Sequence, residues 1–146
     1  MRTLVLIKPD GVMRQKIGDI ITRFENKGVT LIGLKLMSVN KEAAEKHYAV
    51  HKGKPFYDSL ITYIMSGPVV AMVLEGKDVI DITRKLVGAT NGAKAEPGTI
   101  RGDFSSGIDF NLIHASDSIE TAQYEIPIFF KESELIKYER ADKNWL

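Results

Sequence analysis

Cysteine is absent from the 146 residues. That excludes disulfides and thiolate-held metals, and it is compatible with a reducing cytosol. A surplus of either charge is missing too: 20 Lys and Arg face 19 Asp and Glu, for a net charge of +1. No global basic field is present to draw nucleic acid nonspecifically, so any anion site has to be local. Long apolar runs are also lacking. Met1 to Ile7 holds one basic residue and a short apolar run before Lys8, Pro9 and Asp10, too little for a signal peptide or a membrane span. No repeat, low-complexity tract or linker interrupts the chain. Residues 1–146 therefore read as a single domain, expected in the cytoplasm, and long enough to bury a core without staples.

What is there is periodic. Leu4 to Ile7 reads as a central strand, ended by Lys8-Pro9-Asp10-Gly11. Ile17, Ile20, Ile21 and Phe24 mark one helical face, with Gly28 placed to cap its end. Val29 to Val39 predicts a second strand with Ile32, Leu34 and Leu36 on one side and Leu31, Gly33 and Met37 on the other. Asn40 can cap a short helix through Ala43, Ala44 and Tyr48. Pro55 suits the first turn of a helix in which Phe56, Leu60 and Ile64 share a face. Val69 to Leu74 is a third, fully apolar strand. Asp78 then caps a helix carrying Val79, Ile82 and Leu86 on one face, stopped by Gly88. From Thr90 to Phe110 no period is visible, and a structureless loop of that length inside a domain is usually functional.

The chain then delivers Asn111-Leu112-Ile113-His114 to the start of another helix. Asp117 is the expected cap, with Glu120 at capping-box spacing and Ile119, Ala122 and Ile126 as the apolar face. His114 thus falls where a strand ends and a helix begins, a junction whose free N–H groups can meet an anion. A neutral imidazole fixed there is a good nucleophile toward phosphorus, and Glu125, one to two turns on, can orient the ring. A histidine that merely ends a strand is the competing reading. Phe56, beside His51, Lys52 and Lys54, is either a stacking face for a nucleobase or a core anchor. Lys8 and Arg84 have equally plain alternatives, a solvated strand end and a helix-dipole partner. The loop lacks G-x-x-x-x-G-K-[ST], so it is no P-loop, and Arg101-Gly102-Asp103 invites an adhesion reading that nothing else supports.

Without the two short middle helices, the elements read β-α-β-β-α-β, the ferredoxin-like arrangement of an α/β (α+β) fold: a four-stranded antiparallel sheet with helices packed on it and a long loop before the last strand. Over nearly its full length the chain resembles the nucleoside diphosphate kinases. The resemblance rests on Lys8-Pro9-Asp10-Gly11, Tyr48 to Phe56, Ser66 to Met72, Pro97 to Phe104, and Asn111-x-x-His114-x-Ser116-Asp117-Ser118. It implies a γ-phosphate passed from a nucleoside triphosphate to a nucleoside diphosphate through a phosphohistidine at His114, with broad base specificity. Phe56 would stack the base and Ile108 cover its other face. Lys8 and Asn111 would hold the sugar, and Arg84, Thr90 and Arg101 the phosphates, with His51 adding a contact. Tyr48, Ser116 and Glu125 would support the histidine. Mg2+ would ride on the phosphates without a protein cage, and the chain would form a homo-oligomer, a hexamer or else a tetramer. Two positions depart from the pattern. Ala115 replaces a usual Gly, where positive φ would be costly and where its carbonyl is expected to accept from the histidine. Gly92 replaces a common Pro, which is expected to loosen the loop. A binding module that has lost transfer, and a nucleic-acid binder, are the other classes compatible with the elements alone.

Overall fold

The computed structural model describes all residues from Met1 to Leu146. Four strands, β1 (Arg2–Ile7), β2 (Thr30–Met37), β3 (Val69–Glu75) and β4 (Ile113–Ala115), form one sheet in the order β2-β3-β1-β4. Every neighbouring pair is antiparallel. Seven helices accompany them: α1 (Pro9–Met13), α2 (Ile17–Lys27), α3 (Lys41–His47), α4 (Tyr57–Ile64), α5 (Val79–Val87), α6 (Ile100–Phe104) and α7 (Ile119–Phe129). Two split βαβ units interlock, with β3 beside β2 and β1 beside β4, as the ferredoxin-like reading requires.

Both sheet faces are covered, which explains the continuous apolar runs of β1 and β3. Successive strand residues point to opposite faces. Val5, Ile7, Val70, Met72 and Leu74 meet Ile20 and Phe24 of α2 and Val79 and Val87 of α5. Leu4, Leu6, Val69, Ala71 and Val73 meet Ala44 of α3, Ile64 of α4 and Ala122, Ile126 and Phe129 of α7. Gly28 ends α2 with φ 91°, a left-handed cap that glycine adopts at little cost. Asn40 caps α3 by accepting from the Ala43 N–H. No helix is long and apolar enough to cross a membrane.

Several local expectations give way. A bulge between Leu31 and Gly33 breaks the alternation of β2, so Ile32 packs with the α3/α7 side while Leu34 and Leu36 register with Met72 and Val70 of the other side and stay exposed. On α5 the most buried residues are Val79, Ile80, Thr83 and Val87, shifted from the expected face, and the Asp78 side chain makes no cap bond. Phe56 sits at the N-cap of α4, outside the core, and Pro55 precedes the helix. The cap of α7 is Ser118, which accepts from the Thr121 N–H at 3.0 Å; Asp117 stays outside the helix. Nor is the loop from Thr90 to Phe110 structureless: it contains a 3-10 turn at Gly92–Lys94 and α6, capped by Thr99. The Arg101-Gly102-Asp103 triplet lies on α6 with Arg101 buried and Asp103 paired to Arg23 at 2.7 Å, so it presents no adhesion loop.

Candidate active site

His114 occupies the middle of β4, opposite Leu6, so its side chain shares the face covered by α3 and α7. Its Nε2 lies 3.0 and 2.9 Å from the two oxygens of Glu125, a buried residue of α7. Nε2–H donates there in the tautomer that leaves a lone pair on Nδ1. No protein group bonds Nδ1, and the residue lines a cleft. Glu125 is itself held: Ser116 Oγ donates to its Oε1 at 2.7 Å, and that same Oγ accepts from the Leu4 N–H at 3.3 Å. Ser116 thereby ties the carboxylate to the central strand.

The strand end before β4 is organised around Asn111 and Leu112. Leu112 has φ 69°, a left-handed conformation that a leucine adopts only under constraint. Lys8 N–H donates to its carbonyl at 2.8 Å, and its own N–H donates to Asp10 at 3.1 Å. Tyr63 Oη donates to the other Asp10 oxygen. Asn111 is buried, accepts from Lys8 Nζ at 2.9 Å and donates to the Thr90 carbonyl at 3.0 Å. Burial, and then the Arg101 charge, push the Lys8 ammonium down to about 8.

Arg101 is buried and donates to the carbonyls of Asn111, Gly88 and Ile113 at 3.2, 3.2 and 2.6 Å. Desolvation, with the nearby Arg84 charge, lowers it to about 10. One N–H on each terminal nitrogen remains for a ligand. Arg84, from the last turn of α5, donates to the Ala115 carbonyl at 3.2 Å. That carbonyl is thus engaged by Arg84 and not by the histidine. Ala115 is a regular strand residue without positive φ, so no strain attaches to the missing glycine. Gly92 tightens the loop instead of loosening it: its N–H donates to the Gly107 carbonyl at 2.9 Å, and a Cβ there would lie 2.4 Å from the Ser105 carbonyl oxygen.

Two adjoining pockets, of about 900 and 1090 Å³, share Lys8, Tyr48, His51, Thr90, Asn111 and His114 and form one cleft. One end carries Arg84 and Arg101, with Asp117 and Glu120 also lining it. The other carries Phe56, Ile108 and Phe110. Phe56 and Ile108 are 47% and 57% exposed, so neither is a core anchor. His51 lies edge-on to Phe56 at 5.3 Å and contacts Lys54 Nζ through Nδ1 at 3.2 Å; burial and Lys54 lower its pKa. Tyr48 is buried at the end of α3, where burial and then Glu125 raise its phenol to about 12. The structure thus gathers every candidate residue around one cleft, and Ser116 behind it.

Sequence reasoning missed His47. It ends α3, is buried, and has Nδ1 3.2 Å from Glu125 Oε2. Burial, and then the charges of His114, Lys8 and His51, push it down to about 2, so the ring is neutral. The available signal was its spacing three residues after Ala44, on the apolar side of α3. Asp10 and Tyr63 were missed as the supports of Leu112.

Comparison with known proteins identifies the family. The family model described as nucleoside diphosphate kinase matches residues 1–135. The nucleoside diphosphate kinase of Crocosphaera subtropica is 60% identical over 145 residues, 99% of this chain and 97% of that protein. That of Thermoplasma acidophilum is 57% identical, covering 97% and 96%. Among solved structures, the Halobacterium salinarum nucleoside diphosphate kinase in complex with CDP superposes with a TM-score of 0.96 at 48% identity, covering 99% of this chain and 97% of that one. A transition-state mimic of the Borrelia burgdorferi enzyme with bound vanadate and ADP gives 0.92 at 40% identity, covering 98% and 94%. With a family match over residues 1–135 and relatives of this identity, the chain belongs to the nucleoside diphosphate kinase family.

Proposed function

We propose that Nδ1 of His114 is the atom that carries the phosphoryl group in this enzyme's reaction. The reaction is that of the family: a γ-phosphate passes from a nucleoside triphosphate to a nucleoside diphosphate through a phosphohistidine. The observation that carries the assignment is the Nε2 contact to Glu125, which leaves the other ring nitrogen unengaged in the cleft.

The Nδ1 lone pair attacks the γ-phosphorus, the N–P bond forms, and the bond to the β-bridging oxygen breaks. The ring gains positive charge as it is phosphorylated, and the Nε2–H···Glu125 contact stabilises that charge. The diphosphate leaves, a second one enters the same site, and the steps reverse. Two near-identical half-reactions replace one transfer between dissimilar nucleotides. Lys8 and Asn111, already bonded to each other, offer the sugar a preformed pair of polar groups. Arg84 and Arg101 supply charge for the moving phosphoryl group, with Thr90 beside them. Phe56 and Ile108 supply an apolar slot for the base. Stacking reads a base poorly because every base has a π-face, so broad specificity follows.

The family works with a divalent cation, and we assign it as Mg2+ held by the nucleotide. The one cluster of His, Asp or Glu donors is His47, His114 and Glu125, whose two nitrogens and a carboxylate are unlike the oxygen shell that Mg2+ requires. Bound to phosphate and water oxygens, the ion neutralises charge on the β and γ groups. The remaining assignments follow: residues 1–146 act as one domain in the cytoplasm, as a homo-oligomer, with a hexamer as the first choice and a tetramer as the second. Exposed Leu34 and Leu36 on the sheet's edge strand and a Trp145 that is 89% exposed support self-association.

Incubation with γ-labelled ATP and Mg2+ tests the proposal. The expected result is an acid-labile label on the peptide containing His114, chased off by any nucleoside diphosphate. Label on a different peptide overturns it.

A further inference from the structure

We propose that His47, His114 and Glu125 form a metal site of their own, a three-ligand seat for a transition metal of the Zn2+ class that silences the nucleophile when filled. It is separate from the cation carried by the nucleotide. The silencing half rests on His114 being the phosphoryl acceptor; the binding half does not.

Donor atoms of the three residues all lie within 4.8 Å of one another. Glu125 Oε2 is 2.9 Å from His114 Nε2 and 3.2 Å from His47 Nδ1. Neighbouring ligands around a tetrahedral ion with ~2.0–2.1 Å bonds stand about 3.3 Å apart, so two of the three separations already fit. The second observation concerns His47 alone. Its Nδ1 is completely shielded from solvent yet has no hydrogen bond of acceptable geometry, because the carboxylate oxygen lies near it but off the line. Orphaned buried groups of this kind are rare in folded proteins. Nor can the ring easily turn elsewhere, since it makes edge contacts with Tyr48, His114 and Phe129 at centroid distances of 4.6, 4.6 and 5.4 Å.

A metal ion satisfies all three groups at once. Two imidazoles and one carboxylate suit Zn2+ far better than Mg2+. Ser116 Oγ already holds the other carboxylate oxygen at 2.7 Å, the kind of outer support that orients a ligand. All three residues line the cleft and His114 is the partly exposed member, so a water can complete the shell as in other three-ligand sites.

The consequence for His114 is a change of tautomer. A neutral imidazole has one ring proton. With the metal on Nε2, that proton moves through solvent to Nδ1, and the lone pair that attacks phosphorus is gone. Metal on His47 Nδ1 likewise requires that ring's proton to sit on Nε2. No bond to carbon changes, and no co-reactant is needed.

The test uses the full-length, nucleotide-free protein after chelator treatment. Titration with Co2+ should show one ion per chain with the visible absorption of a four-coordinate N/O site, displaced by Zn2+. His47→Gln should weaken binding by at least the ~10–100-fold that loss of a mere outer-shell partner costs. His51→Gln should leave it unchanged. Because His47 is buried, a second measurement keeps the test independent of that variant's folding: ring-nitrogen NMR of the wild-type protein should show His114 switching from Nε2–H to Nδ1–H on Zn2+ addition. Phosphoenzyme formation from ATP and Mg2+ should slow in step with Zn2+ occupancy. Absence of saturable binding at one ion per chain, or equal binding by His47→Gln, overturns the site. Binding and the tautomer switch with an unchanged phosphorylation rate overturn the silencing. A label that maps away from His114 overturns the acceptor assignment and the silencing with it, and leaves metal binding to be judged by the Co2+ and NMR results.

Discussion

Lys8 is a half-buried cation on the wall of the cleft. Burial and the Arg101 charge bring it from an ordinary 10.5 to about 8. A bound polyphosphate favours the charged form, so a nucleotide raises this pKa. Above pH ~8 binding must therefore take up a proton, and affinity should fall as pH climbs, by at most ~10-fold per unit. Calorimetry in buffers of different ionisation heat checks this; Lys8→Gln should flatten the profile, and a flat wild-type profile refutes the reading. In the free protein the sign is opposite: the unfolded lysine keeps its proton up to about 10.5, so this group makes the fold more stable as pH rises from about 8 toward 10.5. Phe56 tests the other end of the cleft. It is half-exposed and outside both core clusters, so Phe56→Ala should weaken every nucleotide alike, by ~1–3 kcal/mol. An unfolding defect with normal affinity would restore the core-anchor reading.

The elements differ in how much of them a sequence can reveal. Periodicity reads out what packs against a flat partner, so β1, β3 and α2 fall where Leu4–Ile7, Val69–Leu74 and Ile17–Phe24 indicate. The bulge in β2 escaped because an extra residue re-aims side chains without any change of composition. α6 escaped because five residues are too few to show a period, though Thr99 with Gly102 three positions on is a readable cap. The catalytic junction was legible because strand end, histidine and helical carboxylate follow one another within twelve residues, from His114 to Glu125. His47 was not, because only the tertiary fold carries α3 across to α7. The cap of α6 also has an energetic consequence. Thr99 Oγ1 accepts from the Gly102 N–H at 2.9 Å and donates to the Glu96 carbonyl at 2.6 Å, and the helix it starts carries Arg101. Thr99→Ala should cost ~0.5–2 kcal/mol of stability in urea unfolding, with a loss in phosphoryl transfer larger than the loss in base affinity. An unchanged midpoint refutes the cap.

The whole molecule leaves apolar surface that one chain does not cover. Leu34 and Leu36 stand 51% and 65% exposed on an edge strand, and Trp145 sits unpacked near the end of a tail that is laced to β2 through Ile136 and Tyr138 and to Val29 just before it through Arg140. Light scattering after gel filtration should return a hexamer mass; a tetramer mass corrects the stoichiometry, and a monomer at micromolar concentration refutes self-association. The central claim, however, is narrower than assembly, because it concerns one nitrogen on β4. His114→Asn keeps a polar side chain of similar reach and removes the nucleophile. Phosphoryl transfer between nucleotides by that variant, measured beside its nucleotide affinity and thermal unfolding, tests the claim most directly. Loss of transfer to background with affinity and unfolding near those of the wild type is the predicted result. Substantial turnover by the variant would contradict it.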